Sequence, residues 1–334
     1  MKILLVTLLL LAVGYCSIGD TLPEFQTCLE HCQCTDSSWL WSCESVCNYQ
    51  CQQLITNQRE SIGLEMVQFY GKWPFIKVFG VQEFFSTLFS LGNFYVNYHN
   101  LFKLLRQYRR GGSGSEYQVM YSQYVILLVA SCIGWIFSTV FHFRDVPLTE
   151  TLDYFGAFAI VLSNLNAITV RFFQLYKHTI ILRIWQASLV MLYIYHTTRL
   201  LDFWDYQYNM QMNVFVGLTA MILWIAHSLS KYREFQSHFH IYNNSIQILP
   251  YETRLLTKLN YLWISRSSLI PLIPIFNNIF LLGGLSFEMN DFAPIARLVD
   301  AHSLWHLTTI FPSIIWHDWN IWDIESLKMV DSMK

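Results

Sequence analysis

Long apolar stretches dominate this chain of 334 residues. From about residue 60 they alternate with short polar joints, running at approximately 81–100, 121–141, 152–172, 178–197, 212–230, 262–285 and 298–318. Each is near the ~20 residues that a helix needs to cross a hydrocarbon core of about 30 Å. Backbone in lipid has no water to bond with, so a crossing segment must satisfy its own amides and fold as a helix. The expected fold class is therefore an all-α integral membrane protein, a seven-transmembrane helix bundle over residues 81–318. Composition agrees: 54% of residues are hydrophobic and only 13% charged, where a soluble domain carries about 25% charged residues. With 21 Lys+Arg against 23 Asp+Glu, the chain has no basic face for phosphates, so a nucleic-acid partner is excluded. Asn93, Asn97 and His99 dilute the first stretch, and Pro271 and Pro274 predict a kink in the sixth. No internal repeat is evident.

The amino terminus reads as an export signal over residues 1–17. Met1-Lys2 precedes an apolar run from Ile3 to Val13, and Gly14-Tyr15-Cys16-Ser17 supplies small residues for cleavage. Residues 18–80 then enter the secretory lumen. Six of the eight cysteines (Cys28, Cys32, Cys34, Cys43, Cys47, Cys51) lie within this segment. An even set, so closely spaced and exported, predicts three disulfides whose pairing stays open, with zinc bound through thiolates as the competing use. The expected product is a small disulfide-rich lumenal cap.

A lumenal amino terminus and seven crossings put residues 319–334 in the cytosol as a tail. Charge distribution tests this independently. The joints assigned to the cytosol carry Lys103, Arg106, Arg109, Arg110, Arg171, Lys177, Arg183, Lys231, Arg233, Arg254, Lys258 and Arg266, while the lumenal joints carry only Arg144, Arg199 and Arg297. That excess obeys the positive-inside rule. The sequon Asn243-Asn244-Ser245 then faces the cytosol and stays unglycosylated, and Arg109-Arg110-Gly111-Gly112-Ser113-Gly114-Ser115 reads as a flexible basic linker.

Ionisable side chains within crossing helices are costly and mark functional sites. Three places stand out: Ser138 to Asp145 at the end of the second stretch, Glu150 to Tyr154 at the start of the third, and Asp300 to His306 at the start of the seventh. His302 and His306 are four residues apart, so a helix projects both imidazoles from one face, and Ser138 and His142 share a face likewise. The inferred topology puts all three places at the lumenal edge. Three neutral imidazoles and an open position form the ligand set of a catalytic zinc site. Zinc lowers the pKa of its water to about 7 and polarises a carbonyl. Asp153 is the candidate for proton transfer and Ser138 for hydrogen bonding to an oxyanion. Asp145 could orient a histidine or pair with Arg144. Asp300 should point away from the histidine face into solvent. The remaining histidines, among them His196, His227 and His317, read as packing or interface residues.

These residues resemble the CREST superfamily of seven-span metal-dependent hydrolases: Ser138-x-x-x-His142, Asp153, and His302-x-x-x-His306. More narrowly, Cys47-Asn48-Tyr49-Gln50-Cys51, Gly71-Lys72-Trp73-Pro74-Phe75, Gln82 to Thr87, Phe141 to Asp145 and Asp300 to His306 resemble the Per1-like family, the post-GPI-attachment-to-proteins phospholipases. The resemblance implies removal of the sn-2 acyl chain from the lipid of GPI-anchored proteins, a phospholipase A2-type reaction. It implies Zn2+ held by His142, His302 and His306, with Asp153 and Ser138 catalytic. The sequence is closer to fungal members, which implies the endoplasmic reticulum membrane with a lumen-facing site, the Golgi being the alternative. Two other readings use the same residues: a seven-span lipid receptor or lipid-binding chaperone with structural zinc, and a ceramidase-like amide hydrolase. A metal-ion transporter fits less well, because the ligands cluster at one face.

Overall fold

A computed structural model describes residues 17–34, 38, 40–110, 114–237 and 267–331. The signal segment up to Cys16, the sequon at Asn243-Asn244-Ser245 and the start of the sixth stretch lie outside the described residues. Among the described residues every element is helical, apart from isolated bridges such as Ile295 with Val299. The chain divides into two compact units, one of residues 1–85 with 291–301 and one of residues 86–290 with 302–334.

The smaller unit is built on α1 (Pro23–His31) and α2 (Cys43–Ser61). Pro23 sits in the first turn of α1, where its missing N–H costs nothing. Ser42 caps α2, its side chain accepting from the Ser45 amide at 3.3 Å. The far end closes at Gly63, with φ of 75°. There the amides of Gly63 and Leu64 bond back to the carbonyls of Glu60 (3.1 Å) and Arg59 (2.9 Å), the left-handed ending that glycine permits. Three disulfides join Cys28 to Cys51, Cys32 to Cys47 and Cys34 to Cys43. Their nesting follows from the hairpin: Cys28 lies on α1 and Cys32 caps its end, while Cys47 and Cys51 stand one turn apart on α2, so two antiparallel helices pair them outermost with outermost. Phe25, Ile55, Val67 and Phe69 form a core beside Cys51.

The disulfide-bearing unit is not one continuous piece of chain. Residues 291–301 belong to it through Asp291, which accepts from Trp73 Nε1 (2.8 Å) and Gln68 Nε2 (2.6 Å), and through Arg297, paired with Glu60 at 2.6 Å. Linear reading could not supply these contacts, because each partner is more than two hundred residues away. Asp300, expected in solvent, is instead buried. It closes this packed segment directly after Val299 has bridged back to Ile295.

The larger unit is a set of long helices: α3 (Phe84–Arg110), α4 (Glu116–Phe143), α5 (Pro147–Phe172), α6 (Thr179–Asp202), α7 (Tyr206–Ser237), α8 (Ile273–Met289) and α9 (Ala301–Asp331). Ser115 caps α4 by accepting from the Gln118 amide at 3.1 Å, and Pro147 opens α5. Close crossings occur at glycine. A Cβ on Gly156 would come within 2.9 Å of the Gly134 Cα, which locks α4 against α5. Tyr121, Tyr124, Phe158, Trp224, Trp319 and Trp322 fill the interior.

Among the described residues, four helices are long and apolar enough to cross a membrane: Glu116–Phe143, Pro147–Phe172, Tyr206–Ser237 and Leu269–Met289. The chain is thus a helical membrane protein. The hydropathy of α3 and α9 is diluted by polar side chains that are buried: Ser90, Asn93, Asn97 and Asn100 on α3, and His306, His317, Asp318, Asn320 and Asp323 on α9. Pro271 and Pro274 do not kink a continuous described helix. Pro271 lies in a 3-10 turn (Ser267–Leu272) and Pro274 in the first turn of α8, where its ring is tolerated. Residues 319–331, read from sequence as tail, continue α9, with Trp319, Ile321, Trp322 and Ile324 fully buried.

The end of α9 carries an ionic cluster. Asp323, completely buried, accepts from Arg171 Nε (2.6 Å) and Nη2 (2.9 Å). His227 Nε2 lies 3.1 Å and Lys231 Nζ 3.5 Å from the same carboxylate, and Lys231 also pairs with Glu234 at 3.0 Å. Buried charges persist only when paired in this way, and here they tie α5, α7 and α9 together.

Candidate metal centre

His142 occupies the last turn of α4, and His302 and His306 the first two turns of α9. Their ligand nitrogens all lie within 4.8 Å of one another. Ring centroids are 5.1 Å apart for His142 and His302, 4.9 Å for His142 and His306, and 4.5 Å for His302 and His306. His142 and His306 are buried, and His302 is half-buried, so one ring borders the outside. The helical spacing that put His302 and His306 on one face is realised, and α4 brings the third imidazole to meet them.

His302 and His306 are each anchored through Nδ1. Ser90 Oγ on α3 shares a 2.8 Å hydrogen bond with His306 Nδ1, and lies 3.1 Å from Ser138 Oγ on α4. Glu288 Oε2, in the last turn of α8, lies 2.7 Å from His302 Nδ1. The Asn93 amide donates to the His306 carbonyl at 2.8 Å and fixes α3 along α9. Trp135 meets the His306 ring edge-on, with centroids 5.3 Å apart. A donor set of three clustered imidazoles fits a d10 cation such as zinc. The Nδ1 contacts fit as well, because metal-ligating histidines engage their second nitrogen with a carboxylate, carbonyl or hydroxyl.

Of the other residues singled out from sequence, Ser138 is buried one turn before His142 and joins the cluster through Ser90. Asp153 stands half-buried near the start of α5. Arg144 donates from Nη1 to the Asp145 main-chain carbonyl at 2.6 Å. His196 packs 3.9 Å, centroid to centroid, from Phe158, and His227 lies in the Asp323 cluster. Ser90 and Glu288 escaped the sequence reading. A lone hydroxyl carries no signal, but Glu288 is the single ionisable residue between Ser267 and Asn290, and a lone carboxylate at the end of an apolar helix is a pointer worth following.

Comparison with known proteins adds independent information. The family profile of the Per1-like family matches residues 34–324. Protein PER1 of Saccharomyces cerevisiae is 34% identical, with 92% of each chain covered. Post-GPI attachment to proteins factor 3 of Drosophila melanogaster is 30% identical over 88% of this chain and 85% of its own. GPI-specific phospholipase A2-like PGAP3 of Cricetulus griseus is 29% identical over 92% of this chain and 89% of its own. No solved structure matches.

Proposed function

The chain belongs to the Per1-like family, and from that membership we propose that it is a zinc-dependent GPI-lipid hydrolase of the phospholipase A2 type. In this reading it cleaves the sn-2 acyl ester of the lipid on GPI-anchored proteins, giving a lysolipid and a free fatty acid. It does so at the lumenal face of the endoplasmic reticulum membrane, with α3 to α9 as seven crossings. The observation that carries the reading is the convergence of His142, His302 and His306, taken with relatives named for GPI attachment and for phospholipase A2 likeness.

His142, His302 and His306 would hold the zinc, which when bound supplies a Lewis acid and an acidified water. Ser138, whose hydroxyl sits within the Ser90 and His306 hydrogen-bond chain, offers a donor to the oxygen that gains charge as the ester carbonyl becomes tetrahedral. Asp153 takes the proton released from the attacking water and returns it to the departing glycerol oxygen. The burial of His142 and His306 keeps bulk water from their rings and strengthens every polar contact there. The half-exposed side of the cluster, at His302, gives a lipid ester its approach, while glycan and protein remain in the lumen. The basic residues that favour the cytosol, Lys103 to Arg110 and Lys231 to Arg233, flank the opposite ends of α3 and α7 from those that would face the lumen.

The test is fatty-acid release from a purified GPI lipid, measured by mass spectrometry on full-length protein in detergent. Release should require zinc, vanish in His306→Ala, and fall in Asp153→Asn while zinc content stays at the wild-type level. Binding of lipid and zinc without any turnover would replace this reading with that of a lipid-binding protein.

A further inference from the structure

We propose that Glu288 is a positioning residue of the metal centre: its carboxylate holds the His302 imidazole in the tautomer and orientation that present Nε2 to the cation. This inference rests on the metal reading above and names the residue that would set how tightly the cation is held.

An ionised carboxylate at the end of an apolar helix is expensive unless a partner compensates it. Here the partner is a ring nitrogen: Glu288 Oε2 lies 2.7 Å from His302 Nδ1, with side-chain exposures of 20% and 36%. A carboxylate can only accept, so Nδ1 carries the proton and the lone pair of the neutral ring resides on Nε2. The same bond raises the basicity of that lone pair.

The approach of the two helices is built for this contact. Gly284 lies one turn before Glu288 on the same face of α8, and a Cβ there would collide with Thr308 Oγ1 and come within 3.1 Å of Trp305 Cε3. Trp305 follows His302 by three residues, so the face of α9 that meets Gly284 is the face that carries His302 toward Glu288. Running antiparallel, the helices set Gly284 opposite Trp305 and Thr308, and Glu288 opposite His302. The two histidines that α9 gives to the cluster are thereby held differently: His306 by the neutral hydroxyl of Ser90, His302 by a charge. Glu288 is therefore the anionic support of an otherwise cationic centre.

The experiment measures zinc retention rather than turnover. Full-length wild type and Glu288→Gln are equilibrated in detergent against graded chelator, and bound zinc is read by elemental analysis. Glutamine keeps the shape and an accepting oxygen but loses the charge, so about 10- to 100-fold weaker retention is expected, the usual cost of losing such a partner. Thermal unfolding of the zinc-free proteins runs in parallel. Weaker retention with unchanged zinc-free stability supports the assignment. Wild-type retention in Glu288→Gln, with or without a fall in stability, overturns it and reduces the contact to a tie between helices, leaving the metal reading intact. Zinc absent from the wild type itself overturns both. Where Glu288→Gln does not fold, Glu288→Asp withdraws the carboxylate by one methylene: weaker retention then supports the assignment and wild-type retention overturns it.

Discussion

Replacing Asp323 by Asn isolates the energetics of the interior from the chemistry of the metal centre. Asp323 is wholly buried and takes two hydrogen bonds from Arg171, at 2.6 and 2.9 Å, with Lys231 at 3.5 Å. Arg171 and Lys231 are themselves buried, with side-chain exposures of 5% and 4%. Arg171 and Lys231 both face the Asp323 carboxylate, and Glu234 pairs with Lys231 in turn. The neutral amide of Asp323→Asn would leave one cation stranded in the low-dielectric interior, a loss of about 3–5 kcal/mol for a buried pair broken from one side. Removing both partners, as in Arg171→Met with Asp323→Asn, strands no charge, because Lys231 retains Glu234 at 3.0 Å. The double variant should recover most of the loss, giving a coupling energy well beyond additivity. Unfolding in detergent micelles, followed by tryptophan fluorescence, to which Trp224 and Trp319 packed against His227 contribute, measures each corner of the cycle. Asp323 follows His306 by seventeen residues, about 25 Å along a helix. Zinc retention of the folded fraction should therefore not change. A loss under about 1 kcal/mol in Asp323→Asn, the range of ordinary substitutions, or a double variant no better than the single, would show that the cluster is not a buried charge pair of this kind.

Two further changes probe other contacts. Gly156→Val inserts methyl groups where a Cβ already meets the Gly134 Cα at 2.9 Å and Phe137 Cδ2 at 3.2 Å; it should cost about 1–3 kcal/mol by overpacking and weaken zinc retention, since Ser138 and His142 lie one and two turns beyond Gly134. Removing the innermost disulfide with Cys34→Ser and Cys43→Ser releases a loop of sequence separation 9, worth about 2.5 kcal/mol of chain entropy; limited proteolysis should then cut the cysteine-rich unit sooner, while wild-type resistance would contradict the expected loss.

The parts legible in the sequence were those governed by local periodicity. Apolar runs located the long helices, and a four-residue spacing put His302 and His306 on one face before any contact was known. Bringing His142 to them required only the direction in which each helix runs. What stayed hidden depends on partners distant in sequence. The nested disulfide pairing needs the antiparallel sense of α1 and α2, which cysteine spacing does not encode. Arg297 and Asp291 belong to the cap because of Glu60, Trp73 and Gln68, none of them near in the chain. Polar residues buried in α9 lowered its hydropathy and made its final turns, with Trp319 and Trp322, look like a tail. Asp323 likewise gave no periodic signal, although a carboxylate flanked by tryptophan and isoleucine is costly in the interior and implies cations facing it from other helices.

The central claim is one cation shared by three imidazoles. Zinc K-edge X-ray absorption on the purified, zinc-loaded full-length chain tests it most directly. The expected result is one zinc per chain, a nitrogen and oxygen shell at about 2.0–2.1 Å, and imidazole scattering that fits three rings in the wild type and two in His142→Ala. A sulfur shell at about 2.3 Å, or no stoichiometric metal at all, would contradict it.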